Sequence, residues 1–540
     1  MPIRMTDDDP SDSQEEESPR PSGGGWNGGG GGGGGNGGGI FALIQLITFV
    51  FRHPILALII AVACGGFYLV SNHTSVGGGS SSANSSGNRP HAPTVPGGDG
   101  SLDKRGATLD PKAYDQTLVH EPLEASALPT RVSLAEFAPP RGNQGHQGSC
   151  VGWSTSYAAR SILYTRQTGT QLTQQTAFSP AFVYDQLAHG RCSGGSVISH
   201  ALQLMKDEGD LPLSEFAYDQ KRCDRLPDGN EKNEARQYRI AGFDRLSQDA
   251  SDYSLNALAI KQHLAQGAPV VIGMHVGGTF ETAMEGARVW HPTQDDWDER
   301  GDWGGHAMAV IGYDDMLEGG AFLLMNSWGN GWGEQGLGYV RYKDFNHFVK
   351  EAYGLYPMGS STSGDQSQLL HFGLVETGTQ KRIPMQAVSA NVFRTERPIR
   401  KGTRFKVEFS NTQPVYTYLF GQETDGSSYV LFPYTDKHNP YCGTVGTRVF
   451  PRKQSLTADN LGTRDSVAVV ISPKALDFKK LNSDVNAAPG ATYAEKVSKA
   501  LGARLSTAAQ LRAKSGQVEL SASAPDGDKV DLVVLEFDKT

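Results

Sequence analysis

Two low-complexity stretches restrict the folded part of this 540-residue chain to about its last three quarters. Residues 1–39 join an acidic run, Asp7 to Glu17, to a tract that holds 14 of the 66 glycines. Residues 72–127 are rich in Ser, Gly, Asn and Pro and show little hydrophobic periodicity. Because neither stretch has enough apolar surface to offset the entropy of ordering, we predict a disordered tail at 1–39 and a flexible linker at 72–127.

Between these stretches lies a nearly continuous apolar segment, residues 40–71. About 20 helical residues span a hydrocarbon core of ~30 Å, and the run from Pro54 to Val70 is close to that length. Arg52 is the Lys or Arg nearest to the run and precedes it, so the positive-inside rule predicts a single-pass anchor with a cytoplasmic N-terminus and an exported remainder. A cleaved signal peptide and lipidation of Cys64 are the alternatives.

Composition excludes two broad classes of protein. The formal charge is −9, but residues 1–39 hold seven acids against two arginines, so the rest of the chain is only mildly acidic and gives no reason to expect nucleic acid as a partner. Five cysteines are too few for a dense disulfide scaffold. The length predicts several domains.

Residues 128–357 have the pattern of a mixed α+β domain. Helical periodicity comes first and β-rich runs follow, as in folds that keep helices and sheet apart. The predicted helices are 154–168, 199–208 and 255–266, and the predicted strands are 268–274, 307–313 and 321–325.

A polar linker at 358–380 precedes a β-rich region at 381–540. Alternating apolar residues separated by Gly, Asp and Asn turns predict a small all-β, sandwich-like domain. The predicted strands are 405–409, 415–420, 428–432, 467–471, 518–522 and 530–537, and one helix is predicted around 493–514.

The first candidate for chemistry is a cysteine at the start of a predicted helix. Cys150 follows Gly148-Ser149 and directly precedes the helical pattern. The positive end of a helix favours thiolate, which is the nucleophilic form of cysteine. Because a lone cysteine is more often a buried, inert thiol, the assignment depends on partners elsewhere in the chain.

Two later segments supply such partners. His306 stands at the mouth of an apolar strand, and Asn326 directly follows the strand at 321–325. If these strands are adjacent and antiparallel, the Asn326 amide oxygen can accept a hydrogen bond from one imidazole nitrogen while the other nitrogen faces the thiol. We therefore predict that Cys150 is a nucleophile, His306 its base and then acid, and Asn326 the residue that orients the ring.

These segments resemble the papain-like cysteine peptidases in residue order and spacing. The resemblance covers residues 128 to 356 and implies a two-lobed fold with a helical lobe and a β-barrel-like lobe. It implies that Gln144 and the Cys150 backbone N–H form the oxyanion hole. It also implies that Trp328 shields the His–Asn hydrogen bond.

The same resemblance extends to the substrate cleft and to the flanking regions. Gly194 and Gly195 match a segment whose glycines let an extended substrate backbone approach. The whole chain is similar to a bacterial, membrane-anchored form of these peptidases that carries a C-terminal β-rich domain of uncharacterised role.

The sequence also departs from the family pattern. Gln147 stands where the family has the usual partner of Cys192, so a bridge between Cys192 and Cys223 is conceivable, with two free thiols as the alternative. Gly305 replaces the Asp or Asn that usually precedes the histidine, which removes a polar neighbour. No long helical inhibitory segment precedes the domain, which argues against the family's usual zymogen control.

Two clusters of polar or sulfur-bearing residues could have roles other than those above. The acidic insertion between Gly286 and Trp303 is typical of a solvated loop, with a bias toward basic substrates as the alternative, and its spacing does not fit an EF-hand. A zinc site built from three cysteines and His306 lacks the paired spacings of such sites. We expect no metal and no cofactor.

Together these features predict a membrane-anchored cysteine endopeptidase that acts on polypeptides through a thiol exposed in an open cleft. The alternatives are a catalytically silent papain-like binding module, and an acyl transferase or exopeptidase on the same fold. For the C-terminal region the alternatives are a packing module and a domain that recognises substrate or wall material.

Overall fold

The computed structural model describes residues 3–7, 105–124, 128–357, 368–522 and 527–540. The predicted membrane anchor at 40–71 lies outside these ranges. Within them, every helix is too short or too polar to cross a bilayer. The first element is a short strand, β1 (Ile3–Asp7), which pairs antiparallel with residues 454–458 near the other end of the chain. The prediction of disorder at 1–39 is therefore wrong for these five residues.

The predicted linker at 72–127 is also wrong over residues 105–124, which are ordered and which we call the strap. Helix α1 (Pro111–Gln116) forms in its middle because the Asp110 side chain accepts hydrogen bonds from Lys112 N and Ala113 N, and Pro111 occupies the first turn. Tyr114 and Val119 are buried. The strap is thus part of the folded molecule.

The first lobe of the α+β domain is helical. Its long helix begins at Cys150 and continues without a break to Thr168, with a π-helical stretch in its middle, a feature frequent near functional sites. The helices of this lobe are α2 (Cys150–Gly152), the π-helix Trp153–Arg160, α3 (Ser161–Thr168), α4 (Pro180–Ala188), α5 (Ile198–Asp207) and α6 (Gly229–Ala235), with 3₁₀ turns at Ala135–Phe137 and Arg236–Tyr238.

The second lobe is built on a sheet of eight strands. The strand order is β3-β9-β4-β6-β7-β8-β5, with β2 paired to β6. The strands are β2 (Arg131–Ser133), β3 (Ile240–Arg245), β4 (Val270–Gly277), β5 (Val289–Trp290), β6 (Trp303–Asp314), β7 (Ala321–Met325), β8 (Leu337–Arg341) and β9 (Val349–Pro357), and its helices are α7 (Ala257–Ala265), α8 (Gly278–Thr282), α9 (Gln294–Trp297) and α10 (Tyr342–Phe348).

The C-terminal region forms a sandwich of two sheets, as predicted. One sheet has the order β1-β19-β14-β10-β22-β21, with β11 and β18 at its sides, and the other has the order β12-β13-β23-β20-β15-β16, with β17 on β15. Its strands are β10 (Gln368–Glu376), β11 (Arg382–Ile383), β12 (Met385–Ala387), β13 (Val392–Thr395), β14 (Arg404–Asn411), β15 (Val415–Gln422), β16 (Ser428–Phe432), β17 (Tyr441–Cys442), β18 (Gly446–Phe450), β19 (Gln454–Ala458), β20 (Arg464–Ser472), β21 (Gln510–Lys514), β22 (Gln517–Ala522) and β23 (Asp531–Asp538).

Two predictions for this region are wrong in detail. Two helices, α11 (Phe478–Ala487) and α12 (Tyr493–Leu501), pack against the outer face of the second sheet, and the predicted helix around 493–514 ends at Leu501. Its last predicted residues form β21 instead. The predicted linker at 358–380 contains the central strand β10.

Candidate active site

Cys150 lies at the N-terminus of the long helix, where the sequence predicts it. The preceding segment, residues 141–149, is irregular and brings the thiol to the junction of the two lobes. The backbone N–H of Ala307, on β6, points at Cys150 Sγ at 3.4 Å. The strand that carries the candidate histidine therefore packs directly against the nucleophile.

His306 and Asn326 meet across two adjacent antiparallel strands. β6 pairs with β7 in a register that aligns Ala309 with Met325. The His306 Nε2 and Asn326 Oδ1 atoms lie 2.8 Å apart, and both residues are buried. The predicted side-by-side arrangement of His306 and Asn326 is therefore present. It leaves Nδ1 as the ring nitrogen that can exchange a proton with the thiol.

Trp328 covers this pair. Its ring stacks on the His306 ring with a centroid distance of 4.5 Å and an interplanar angle of 29°. Phe280 and Trp332 in turn pack edge-on against Trp328. Since an apolar cover lowers the local dielectric, the His306–Asn326 hydrogen bond is protected from competition by water.

Gln144 lies within the same network, next to the segment that holds Asn326. Its backbone N–H donates to Ser327 O at 2.8 Å, and its Oε1 accepts from Ser327 Oγ at 2.6 Å. Its Nε2 donates to Gln147 O at 2.8 Å. The structure thus brings Gln144 to the catalytic segment and fixes the orientation of its amide.

The other side of the cleft is formed by residues 192–196. A disulfide joins Cys192 to Cys223, so of the two alternatives the re-paired bridge is present. The Tyr184 hydroxyl donates to Gly194 O at 2.6 Å. A Cβ on Gly195 would lie 3.0 Å from Gly106 O and 2.8 Å from Thr108 Oγ1, so this glycine permits the close backbone approach that the resemblance implies, here by the strap.

The strap lies across the cleft and covers the thiol. Gly106 N donates to Cys150 Sγ at 3.2 Å. Gly106 O accepts from Ser196 N, and Thr108 N donates to Ser196 O, both at 2.9 Å. Cys150 has no exposed surface. The expectation of an open cleft is therefore wrong for this state, because a segment of the same chain occupies the place of an extended substrate.

The strap also gives a structural reason for the unusual residue before the histidine. Ala107 N donates to Gly305 O at 3.0 Å, which brings the two backbones together. A Cβ on Gly305 would lie 2.1 Å from Ala107 O. An Asp or Asn at position 305 would therefore displace the strap.

Burial raises the pKa of Cys150 to about 11. Desolvation of the thiolate is the largest cause, and the backbone N–H groups of Ala307 and Gly106 offset only part of it. Because the thiolate is the nucleophile, the covered thiol is protonated and unreactive at neutral pH.

The acidic insertion uses most of its charge internally. Asp296 is buried and forms a capping box with Thr293 at the start of α9. Asp295 and Asp298 both pair with Arg300. These three carboxylates are therefore engaged within the insertion, whereas Asp302, at its end, pairs with Arg105 of the strap.

Sequence reasoning missed the strap because the composition of 72–127 as a whole is that of a linker. The available signal was local, since Leu109, Tyr114 and Val119 recur at intervals of five residues after the low-complexity part ends.

Within the described residues, no group of three or more His, Cys, Asp or Glu side chains is arranged to hold a metal ion.

Comparisons with known proteins match two parts of the chain. A family model described as "Papain family cysteine protease" matches residues 130–357, and one described as "Domain of unknown function (DUF4384)" matches residues 399–475. A "Cysteine protease" of Blomia tropicalis is 26% identical over 200 residues, which are 36% of this chain and 56% of that protein. A "Cathepsin L-like peptidase" of Aedes aegypti is 28% identical over 223 residues, 41% of this chain and 60% of that protein.

Among solved structures, xylellain, a cysteine protease from Xylella fastidiosa, is 22% identical with a TM-score of 0.40, covering 48% of this chain and 97% of that one. The chain spans between 56% and 63% of the length of the first three curated relatives. The match to the papain family of cysteine proteases covers both lobes and includes Cys150, His306 and Asn326.

Proposed function

We propose that this protein is a cysteine endopeptidase that hydrolyses polypeptides by acyl transfer. The observation that carries the proposal is the convergence of the Cys150 thiol with the hydrogen-bonded pair of His306 and Asn326. In this scheme His306 takes the thiol proton, and the thiolate attacks the peptide carbonyl carbon. His306 then protonates the leaving amine, and water hydrolyses the thioester.

Gln144 is proposed to stabilise the oxyanion together with the Cys150 backbone N–H. Its support is its position in the loop before the nucleophile and its tie to Ser327, directly after Asn326. A preorganised donor of this kind typically contributes about 2.7–4 kcal/mol to transition-state stabilisation.

We infer further that the described state is a latent one. Residues 106–108 pair with the cleft, and the thiol has no exposed surface, so a substrate cannot reach it until the strap leaves. A Cβ at position 106 would lie 2.0 Å from Gly148 O, so Gly106→Leu is a direct way to prevent the strap from seating. We call the chain with Gly106→Leu the opened chain.

The test is hydrolysis of a peptide library by the opened chain. We expect Cys150→Ala or His306→Ala to reduce the rate by at least about a thousandfold. Asn326→Ala should cost about ten- to a hundredfold, since a hydrogen bond to a charged group is worth about 1.5–3 kcal/mol.

Cys442→Ser serves as the matched control, because Cys442 is the other buried free thiol among the described residues. An opened chain whose Cys150 is alkylated readily but which cleaves no peptide would contradict the proposal and favour the silent binding module. Products linked to an added amine acceptor would indicate acyl transfer, and release of end residues alone would indicate an exopeptidase.

We propose that the apolar segment 40–71 attaches the protein to a membrane, with the peptidase domain outside the cytoplasm. The Cys192–Cys223 disulfide supports export, since such bonds persist in oxidising compartments. A single crossing would separate Ile3–Asp7 from β19, whereas the fold pairs them. A reporter fused after Thr540, active only when exported, tests the location of the peptidase domain. A second reporter fused before Met1 tests whether Ile3–Asp7 lies on the same side of the membrane or across it.

We propose that the C-terminal domain is a packing module for the peptidase domain and the strap. Val119 N donates to Lys437 O at 2.7 Å, and Glu124 N donates to Thr447 O at 2.7 Å. Arg448, which is buried, donates to Glu121 O at 3.2 Å. The strap therefore fills the space between the two domains.

A further inference from the structure

The strap carries an arginine into an acidic position beside the nucleophile. The Arg105 guanidinium contacts Asp302 through Nη2 to Oδ2 at 2.5 Å and through Nη1 to the Asp302 carbonyl oxygen at 3.1 Å. Its Nε lies 3.6 Å from Glu281 Oε1. The Arg105 side chain is only 10% exposed, so this cation is held in a site and does not lie loosely on the surface.

The position is built from two elements that frame the cleft. Glu281 belongs to α8, and Asp302 directly precedes β6, the strand that carries His306. A Cβ on Gly304 would lie 3.3 Å from Arg105 Cδ, so the glycine leaves room for the arginine stem to cross the start of β6. The two carboxylates and the glycine thus form a place for a long cationic side chain.

The location of this acidic place relative to the Cys150 thiol identifies which part of a substrate would occupy it. The carbonyl oxygen of Gly106 and the N–H of Thr108 pair with Ser196, while the N–H of Gly106 lies at Cys150. Arg105 precedes Gly106 in the strap, and its side chain lies at Gly304, at the start of β6, away from that pairing. If the acyl part of a substrate pairs with the 194–196 wall, the amine side of the scissile bond extends toward Asp302 and Glu281.

We propose that Glu281 and Asp302 form a subsite for a Lys or Arg side chain on the leaving-group side of the scissile bond. This inference rests on the proposed peptidase function. The recognition is electrostatic. The Arg105 side chain and Glu281 are 10% and 23% exposed, so solvent screens this pair little, whereas the Asp302 carboxylate is 85% exposed and its attraction is screened more strongly. The strap fills the same subsite with its own guanidinium in the latent state.

The test uses the opened chain with Arg105→Ala, so that the guanidinium of the strap cannot compete. Quenched peptides that are randomised before the scissile bond carry Arg, Gln or Asp after it. We expect kcat/KM to favour Arg over Gln by about tenfold. Glu281→Gln with Asp302→Asn should bring the ratio near one, and Asp302→Lys should favour the Asp peptide.

The matched control is Asp298→Asn, an exposed carboxylate of the same insertion that pairs with Arg300 instead. It should leave the preference unchanged. An Arg preference that survives Glu281→Gln with Asp302→Asn would overturn the proposal.

A second readout separates this inference from the peptidase proposal. Two haloacetamides, one carrying a guanidinium and one a neutral amide, alkylate Cys150 without any hydrolysis. The guanidinium reagent should react about tenfold faster than the neutral one, and Asp302→Asn should remove this difference. If this result is obtained while no peptide is cleaved, the subsite proposal is supported and the peptidase proposal fails. Equal rates with both reagents contradict the subsite.

Discussion

At the scale of single residues, chemistry-bearing side chains were the most predictable. Cys150, His306 and Asn326 are predictable because each borders a local apolar pattern in the sequence, although β6 itself begins three residues before His306. Arg105 and Gly106 were not, because their roles depend on docking against residues 44 to 197 positions away. No local pattern encodes such a contact.

One buried residue at the domain junction yields a stability prediction. The two ring nitrogens of His263 have no hydrogen-bond partner within the described residues, and burial holds its pKa well below the usual value. Replacing an unsatisfied buried polar group by an apolar one of similar volume is neutral or stabilising. We expect His263→Leu to raise the free energy of unfolding by about 1 kcal/mol at pH 7.

The same substitution should reduce sensitivity to acid. An unfolded histidine takes up a proton near its ordinary pKa of 6.5, and the buried ring does not, so stability falls as the pH drops below about 6.5. Burial likewise lowers the pKa of His120, whereas it raises the pKa of Glu121 to about 7, which acts in the opposite direction. Denaturant titrations of variant and parent between pH 5 and 7 isolate the His263 contribution. His200→Leu, at an exposed histidine on α5, should show no such difference.

At the scale of elements, the alternation of apolar and polar residues predicts most strands of the sandwich. A strand with one buried and one exposed face shows this alternation directly in its sequence. The strand predicted at 428–432 coincides with β16, and those at 415–420 and 467–471 lie within β15 and β20. β21 was missed because it lies at a sheet edge and most of its residues are exposed, so it has no apolar face to recognise.

The strap predicts an unusual pH dependence for the reactivity of Cys150. The covered thiol has a pKa of about 11, so the covered form holds its proton more tightly than the open form does. Each unit of pH rise toward 11 should therefore favour the open form about tenfold once the open thiol is ionised. Alkylation of the parent chain should rise steeply between pH 7 and 10, and that of the opened chain should be faster at pH 7 and should rise less steeply. Equal profiles, mapped at the Cys150 peptide, would contradict the covering role of the strap.

At the scale of the whole molecule, the arrangement of the two domains was not predictable from the sequence. Their junction is polar and depends on the strap, whose Leu118 and His120 bond Arg245 of the peptidase domain while Val119 bonds the sandwich. Tyr356 adds hydrogen bonds to His120 at 2.8 Å and to Asp244 at 2.5 Å. Such contacts join residues from three distant parts of the chain.

This junction predicts that the C-terminal domain helps to keep the strap in place. Lys437 of the sandwich pairs with Asp115 of the strap and holds the pKa of that carboxyl below its usual value. Lys437→Glu places like charges together and should speed alkylation of Cys150 severalfold in the full chain. Asp115→Lys in the same molecule should restore the slow rate.

Lys474→Glu is the matched control, since Lys474 pairs with Asp528 within the sandwich and does not contact the strap. If both substitutions change the alkylation rate equally, the effect is one of net charge, and the domain has no part in holding the strap.

Because the strap and the cleft belong to one polypeptide, the proposed inhibition would be unimolecular and would not weaken on dilution. A tethered segment acts at an effective concentration on the order of millimolar, so a peptide present at micromolar levels competes poorly for the same groove. Activation by cutting within a neighbouring copy would instead accelerate with the square of protein concentration. Progress curves recorded over a dilution series therefore distinguish spontaneous uncovering, which is first order, from processing between molecules.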